Sequence, residues 1–327
     1  TDAKMGEILD EIESNDDLDA VTMANIRLAR EEYDRATKLP TEFVEEMAMH
    51  RSKALISWTE AREKDDFSIF RDDLEIAIGH ARMKADFFGY DQLRYDALLD
   101  LYESGLTVES LDPLFSGLRE NLAPLIKEIV DRSEGPDLSW VTENTWSQEA
   151  QEELSQSVSE AIGFDFGAGR RDLSTHPFCG GPNPDDVRWT TRYSVEDPFG
   201  SLFGSMHETG HGTYEQGRPR YLDFQPAGKA NGLGIHESQS RLWENQIGRS
   251  KEFCEWSIQL WKKFFPENMN EVSADQLWQA VNLVKPGLIR VDADEATYNL
   301  HIMIRYEIEK QLIAGEIDVD DLPDAWD

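Results

Sequence analysis

Two histidines four positions apart, His207 and His211, enclose Glu208, Thr209 and Gly210, and a carboxylate follows at Glu237 inside the segment Ile235-His236-Glu237-Ser238-Gln239. On an α-helix positions i and i+4 share a face, so both imidazoles can turn a ring nitrogen toward one metal ion with Glu208 beside them. Glu237, a hard oxygen ligand thirty residues past His207, supplies the third protein ligand that a tetrahedral site needs if one position is to stay open for water. Two histidines, a carboxylate and a water make a hydrolytic centre rather than a structural one. One divalent ion per chain is expected, Zn2+ in the first place with Co2+ as the alternative; it lowers the pKa of a water toward neutrality and polarises a carbonyl. Glu208 takes the water's proton and passes it to the leaving amine. A surface helix that happens to carry two histidines is the competing reading of the bare HExxH pattern. What weighs against it is the rest of the sequence.

The chain carries, in order, His176-Pro177-Phe178, Asp186-Val187-Arg188-Trp189-Thr190, the His207 to His211 block, His236-Glu237-Ser238-Gln239, and Ile289-Arg290-Val291-Asp292-Ala293-Asp294. Each is short, but together they resemble the thermostable-carboxypeptidase type of metallocarboxypeptidase, the M32 peptidase family. The resemblance runs from the helical first half to Tyr298-Asn299-Leu300-His301. It implies a mainly α, gluzincin-type fold with a long groove between helical halves and a small β-sheet near the active site. It also implies removal of C-terminal residues from peptides with broad specificity, and a homodimer. Members of the family continue into a further block of the form GxxQDxHW and begin with an additional helical segment. Neither is present here, so the chain reads as incomplete at both ends.

A carboxypeptidase must hold a free α-carboxylate, and in an acidic protein that calls for a local cation; a guanidinium does it bidentately. Arg188, Arg290 and His176 lie inside the family-like blocks and are the expected substrate contacts. Alternatively, Arg188 or Arg290 simply neutralises Asp186 or Asp292. An oligopeptidase that cuts internal bonds is a rival of the same class, and a catalytically silent metal-binding protein is a rival of a different one. The intact Glu208 weighs against silence. No nucleophile elbow, Cys/His pairing or phosphate-binding glycine loop competes with the metal motif.

The 65 acidic residues against 32 basic ones give a formal charge of −33. Such a surface repels phosphates and anionic membranes, so neither nucleic acid nor membrane is an expected partner; peptides with a free C-terminus are. The acids are spread along helices, as at Asp16-Asp17 and Glu149, Glu152 and Glu153, a solvated-face pattern. High internal salt, of a haloarchaeal kind, would screen their repulsion. Only Cys179 and Cys254 are present, which fits a reduced, cytoplasmic compartment without a disulfide framework.

One catalytic domain over 1–327 is expected, with a helical half at 1–162, a loop and strand region at 163–200 and a metal-site helical half at 201–327. Apolar periodicity predicts helices around Met5 to Ile12, Val21 to Leu39, and from Thr41, which is placed to cap a helix burying Val44, Met47, Leu55 and Trp58. Further helices are expected at 74–88, 114–130, 144–162, around the metal motif, through Glu237 to Ile247, over 253–265, and over 294–314 with Gly315 as terminator. Between Gly163 and Gly200 the alternation Val187, Trp189, Thr191, Tyr193 predicts one strand, expected as an edge on which a peptide backbone can pair, with a purely structural strand as the alternative. Gly210 and Gly212 inside the motif helix point to close packing of another element or to a simple kink. His301 and the aromatics Trp256, Trp261, Phe264 and Phe265 are expected in the core or an interface.

Overall fold

The computed structural model describes residues 2–15, 17–132 and 135–326; Asp16 and the side chain of Asp292, both invoked above, lie outside the described residues. The chain divides into two compact units, Thr1–Pro124 with Asn299–Asp327, and Leu125–Tyr298. These do not coincide with the division at 162 and 200 suggested by composition. Glycine and proline mark where the chain turns, whereas a unit is defined by which elements pack together.

The first unit begins with α1 (Ala3–Glu13), α2 (Ala20–Lys38), α3 (Thr41–Lys64), α4 (Ser68–Phe88), α5 (Arg94–Leu99) and most of α6 (Val108–Arg132). The starts of α1 and α2 are fixed by Asp2 and Asp19, whose carboxylates accept from the free N–H groups of the first turn. Two expectations for α3 are corrected. Thr41 is already helical, and Pro40, with no side-chain bond, stands at the cap. The apolar stripe at Val44, Leu55 and Trp58 is exposed, by 43%, 62% and 42%. The inner face is instead Phe43, Met47, His50, Ala54, Ser57 and Ala61. Small residues there admit α4, which brings the buried Asp73 and His80 against it. Lys53 donates to Asp73 at 2.9 Å, and His80 lies edge-on to Phe43. The buried side of α3 is therefore partly polar, and a reading by hydrophobicity alone phased the helix about one residue off.

The second unit holds α7 (Ser139–Thr142), α8 (Gln148–Ile162), β1 (Gly169–Leu173), β2 (Cys179–Asn183), β3 (Asp186–Thr191), α9 (Pro198–Gln216) and α10 (Leu233–Arg241). It continues through a π-helical turn at Leu242–Ile247 into α11 (Lys251–Phe264), α12 (Pro266–Met269) and α13 (Ala274–Val281). The long helix α14 (Glu295–Ala314) then leads back to the first unit, where α15 (Leu322–Trp326) is the last described element. As expected, α14 ends at Gly315, whose φ of +79° suits glycine.

Three strands are present where one was expected, in the order β1-β3-β2, with β1 parallel and β2 antiparallel to β3. Since β3 is central, both sides of its ladder are already paired, and the expectation that it forms a peptide-binding edge is corrected. The segment Gly180-Gly181-Pro182 belongs to β2, whose register against β3 shifts between Gly180 and Asn183; a Cβ on Gly181 would collide with the Asp186 carbonyl there. Val187 and Trp189 turn inward and pack with Phe164. The larger core gathers Trp146, just before α8, with Leu154, Leu202, Met206, Trp261 and Leu277 from α8, α9, α11 and α13. Trp261 and Phe265 thus take the core positions expected of them, whereas Trp256 is 48% exposed. No described helix is long and apolar enough to cross a membrane.

Candidate metal centre

Helix α9 starts cleanly because Asp197 accepts from the N–H groups of Phe199 and Gly200 while Pro198 occupies the first turn. Two turns on, it presents His207, Glu208 and His211, and α10 brings Glu237 to the same point. The facing atoms are His207 Nε2 and His211 Nε2, 3.2 Å apart, and Glu237 Oε2, 3.3 Å from His211 Nε2 and 3.7 Å from His207 Nε2. Ligands bound at about 2.0–2.1 Å in a tetrahedron lie roughly 3.3–3.4 Å apart, so this donor set fits one divalent ion with a fourth position left over. Among the described residues it is the only such group of His, Cys, Asp and Glu.

The approach of the two helices rests on glycine. A Cβ on Gly210 would stand 2.6 Å from the carbonyl oxygen of Gln239 and 2.7 Å from Ser240 Cα. One on Gly212 would stand 2.7 Å from the Phe164 ring. Each glycine costs the helix up to about 1 kcal/mol relative to alanine, and close packing, one of the two readings open from sequence, is what that cost allows.

The far side of each imidazole is also occupied. His207 Nδ1 lies 2.8 Å from Glu244 Oε2, which Arg241 also approaches at 3.2 Å. His211 Nδ1 lies 2.6 Å from His236 Nδ1, and His236 Nε2 lies 2.8 Å from Glu215 Oε1. Outer partners of this kind fix the orientation and tautomer of a ligating histidine. Glu215 takes part through His236. Asp294 is engaged elsewhere, accepting from the N–H groups of Ala296 and Thr297 at the start of α14, and Glu295 is the first residue of that helix. The side chain of Asp292 is outside the described residues. Glu244 was not anticipated. Glu237, Arg241 and Glu244 follow i, i+4, i+7, which was the available signal; the π-helical turn, with Gly248 N–H bonded to Trp243 C=O, is what sequence periodicity does not display.

Glu208 is 5% exposed, and its Oε2 has no hydrogen-bond partner among the described residues. Burial pushes its carboxyl up to about 7, with His207 opposing and the charges of Glu237 and Glu244 assisting. A carboxylate poised near neutrality is suited to proton transfer. The Cys179 thiol is pushed well above its ordinary range by burial and by the nearby acids Glu208 and Glu215, so it offers no thiolate nucleophile.

The three expected substrate contacts are placed differently from one another. His176 is exposed between β1 and β2, its carbonyl accepting from the Ser174 hydroxyl at 2.7 Å. Arg188 faces solvent from β3 and is held bidentately by Asp186, at 2.7 Å for each bond, the alternative left open by sequence. Neither has a described contact with the metal-facing residues. Arg290 donates to the Tyr298 hydroxyl at 2.8 Å. Arg241 lies 4.2 Å over the same tyrosine ring, so Arg290 is linked through Tyr298, Arg241 and Glu244 to His207.

Residues 1–327 match the family described as Carboxypeptidase Taq (M32) metallopeptidase. Carboxypeptidase 1 of Bacillus subtilis is 41% identical over 100% of this chain and 65% of its own length. Thermostable carboxypeptidase 1 of Thermus thermophilus is 40% identical over 100% of this chain and 66% of its own. The crystal structure of the M32 carboxypeptidase from Deinococcus radiodurans superposes with a TM-score of 0.95 at 37% identity, covering 100% of this chain and 65% of that one. The chain thus spans about two thirds of the length of these relatives.

Proposed function

We propose, from the premise that this chain belongs to the carboxypeptidase Taq (M32) family of metallopeptidases, that it works as a metal-dependent carboxypeptidase on peptides with a free C-terminus. The observation that carries the reading is the convergence of His207 Nε2, His211 Nε2 and Glu237 Oε2 beside the unpartnered carboxylate oxygen of Glu208. His207, His211 and Glu237 would hold the ion, and two imidazoles with one carboxylate suit Zn2+, with Co2+ the second choice. When bound, the ion supplies Lewis acidity toward a carbonyl and makes a water easier to deprotonate. Glu208 accepts the proton of the attacking water and returns it to the leaving amine. Burial raises the basicity of that carboxylate, and Glu244 and His236 would keep the two imidazoles oriented.

For the substrate carboxylate we propose Arg290 first, since it is connected to the centre through Tyr298 and Arg241. His176 and Arg188 would act farther along the peptide, and Arg188 would first have to exchange Asp186 for substrate. Broad residue specificity and a homodimer are carried over from the family resemblance. A cytoplasmic setting rich in salt is proposed from the acidity and the two unpaired cysteines.

Peptide cleavage followed by mass spectrometry tests the reading. One metal ion per chain, loss of activity on chelation, and cleavage of free but not C-terminally amidated peptides are the expected results. Changing Arg290 to Ala should cost roughly 1.5–3 kcal/mol in kcat/KM on free peptides, the worth of a charge-assisted contact. Equal cleavage of both kinds of peptide by the unaltered protein would make it an oligopeptidase instead.

A further inference from the structure

We propose that Glu215, which lies one histidine removed from the metal-facing atoms, is a positioning residue that sets the direction of the hydrogen-bond chain Glu215, His236, His211 and thereby reserves the Nε2 lone pair of His211 for a cation. The proposal rests on reading His207, His211 and Glu237 as metal ligands. An ionised carboxylate can only accept and a guanidinium can only donate. Arg218 pairs with Glu215 Oε2 at 2.7 Å, and the two side chains are 14% and 12% exposed. Glu215 is held ionised by His236 and Arg218 in spite of its burial.

The rest follows by counting hydrogens. Glu215 Oε1, 2.8 Å from His236 Nε2, must be met by an N–H. A neutral imidazole has one N–H, so with Nε2 protonated the Nδ1 of His236 is a lone pair. That lone pair stands 2.6 Å from His211 Nδ1, where a second lone pair would be repelled. His211 therefore carries its hydrogen on Nδ1, and its Nε2 is the bare nitrogen that faces Glu237 Oε2 at 3.3 Å and His207 Nε2 at 3.2 Å, acceptors reconciled by a cation between them or, before zinc is added, by a donating water. With Glu215 and His236 reversed in sense, the hydrogen of His211 would sit on Nε2 and block it.

The surroundings keep the chain in register. His236 is only 15% exposed, and Tyr214 packs edge-on against its ring at 5.0 Å between centroids. Arg218 also donates to the Gly228 carbonyl at 2.6 Å, which anchors the guanidinium from the loop beyond α9. His207 needs no such relay because Glu244 meets its Nδ1 directly.

Imidazole nitrogen NMR on histidine-labelled protein at about pH 8, above the ordinary imidazole range, reads the tautomers with and without zinc. His211 should be in the Nδ1–H form and His236 in the Nε2–H form before zinc is added. In Glu215→Gln the amide offers both a donor and an acceptor, so a second His211 population should appear, and in Glu215→Leu the preference should disappear. Zinc affinity by chelator competition should fall about 10–100-fold in either variant, as for other outer partners of metal ligands. Adding His236→Asn to Glu215→Leu restores an acceptor oxygen near the Nδ1 position and should recover part of that loss, which a purely structural role for Glu215 does not foresee. An Nε2–H tautomer at His211 in the unaltered metal-free protein overturns the proposal even if no variant folds, as does unchanged zinc affinity in both Glu215 variants. Failure of the unaltered protein to bind zinc would instead sink the metal reading, and the tautomers would still report the direction of the chain.

Discussion

Glu208 has to be ionised to take a proton, and burial holds its carboxyl at about 7. A cation beside it favours the ionised form and moves that value down. The sign is then fixed: kcat/KM should rise with pH along an acid limb whose midpoint lies below 7, because protonated Glu208 cannot accept. Replacing Glu208 by Gln should leave the metal content intact and lower turnover by about 10²–10⁴-fold, the usual worth of a general base, with the acid limb removed. Near-normal turnover would take Glu208 out of that role. That His207, His211 and Glu237 could face one point was legible in sequence because His207 and His211 sit one helical turn apart, which is a local property. Their supports were not. Glu244 reaches His207 only through the offset of a π-helical turn, and His236 was known to adjoin Glu237 without any indication of which neighbour its ring would meet.

Glycine decides the contact between the two site-bearing helices. Gly210→Ala adds one methyl where 2.6 Å is available, so α10 must retreat, carrying His236 and Glu237 with it. Overpacking of this kind costs about 1–3 kcal/mol. Thermal melts should register that loss, and zinc affinity should weaken although no ligand has changed; an unaltered affinity would show that α10 is not positioned by this contact. The phase of α3 gives a sharper test of packing. Phe43→Ala should cost about 3–5 kcal/mol, as for a buried aromatic, while Leu55→Ser on the exposed face should stay within about 0.5 kcal/mol. The reverse result would restore the face inferred from hydrophobicity. The long helices were legible in different ways, α9 from its histidine spacing, α11 from its apolar stripe and α14 from its terminator Gly315. The sheet was only partly so, since β1 and β2 are built of Gly-Arg-Arg-Asp-Leu and Cys-Gly-Gly-Pro-Asn, without the alternation that makes β3 visible.

Across the whole molecule the dominant quantity is the charge of −33. Compaction brings those acids together, and their repulsion reaches about 30 Å at 0.01 M ionic strength but about 3 Å at 1 M. Melting temperature should therefore climb as potassium chloride is raised from dilute to molar, with metal activity held constant because a bound ion also stabilises the folded state. A flat or falling curve would point to a polycationic partner as the reason for the acidity. The division of the chain into units carries a different implication, concerning time. Every metal-facing residue and its supports lie in the uninterrupted stretch Leu125–Tyr298, whereas the other unit is assembled from Thr1–Pro124 and Asn299–Asp327. Since domains fold as units during synthesis, the stretch Leu125–Tyr298 leaves the ribosome before Asn299–Asp327 can join Thr1–Pro124. In the order of events on the ribosome, the candidate site can take shape while the unit begun earlier is still waiting for a partner segment.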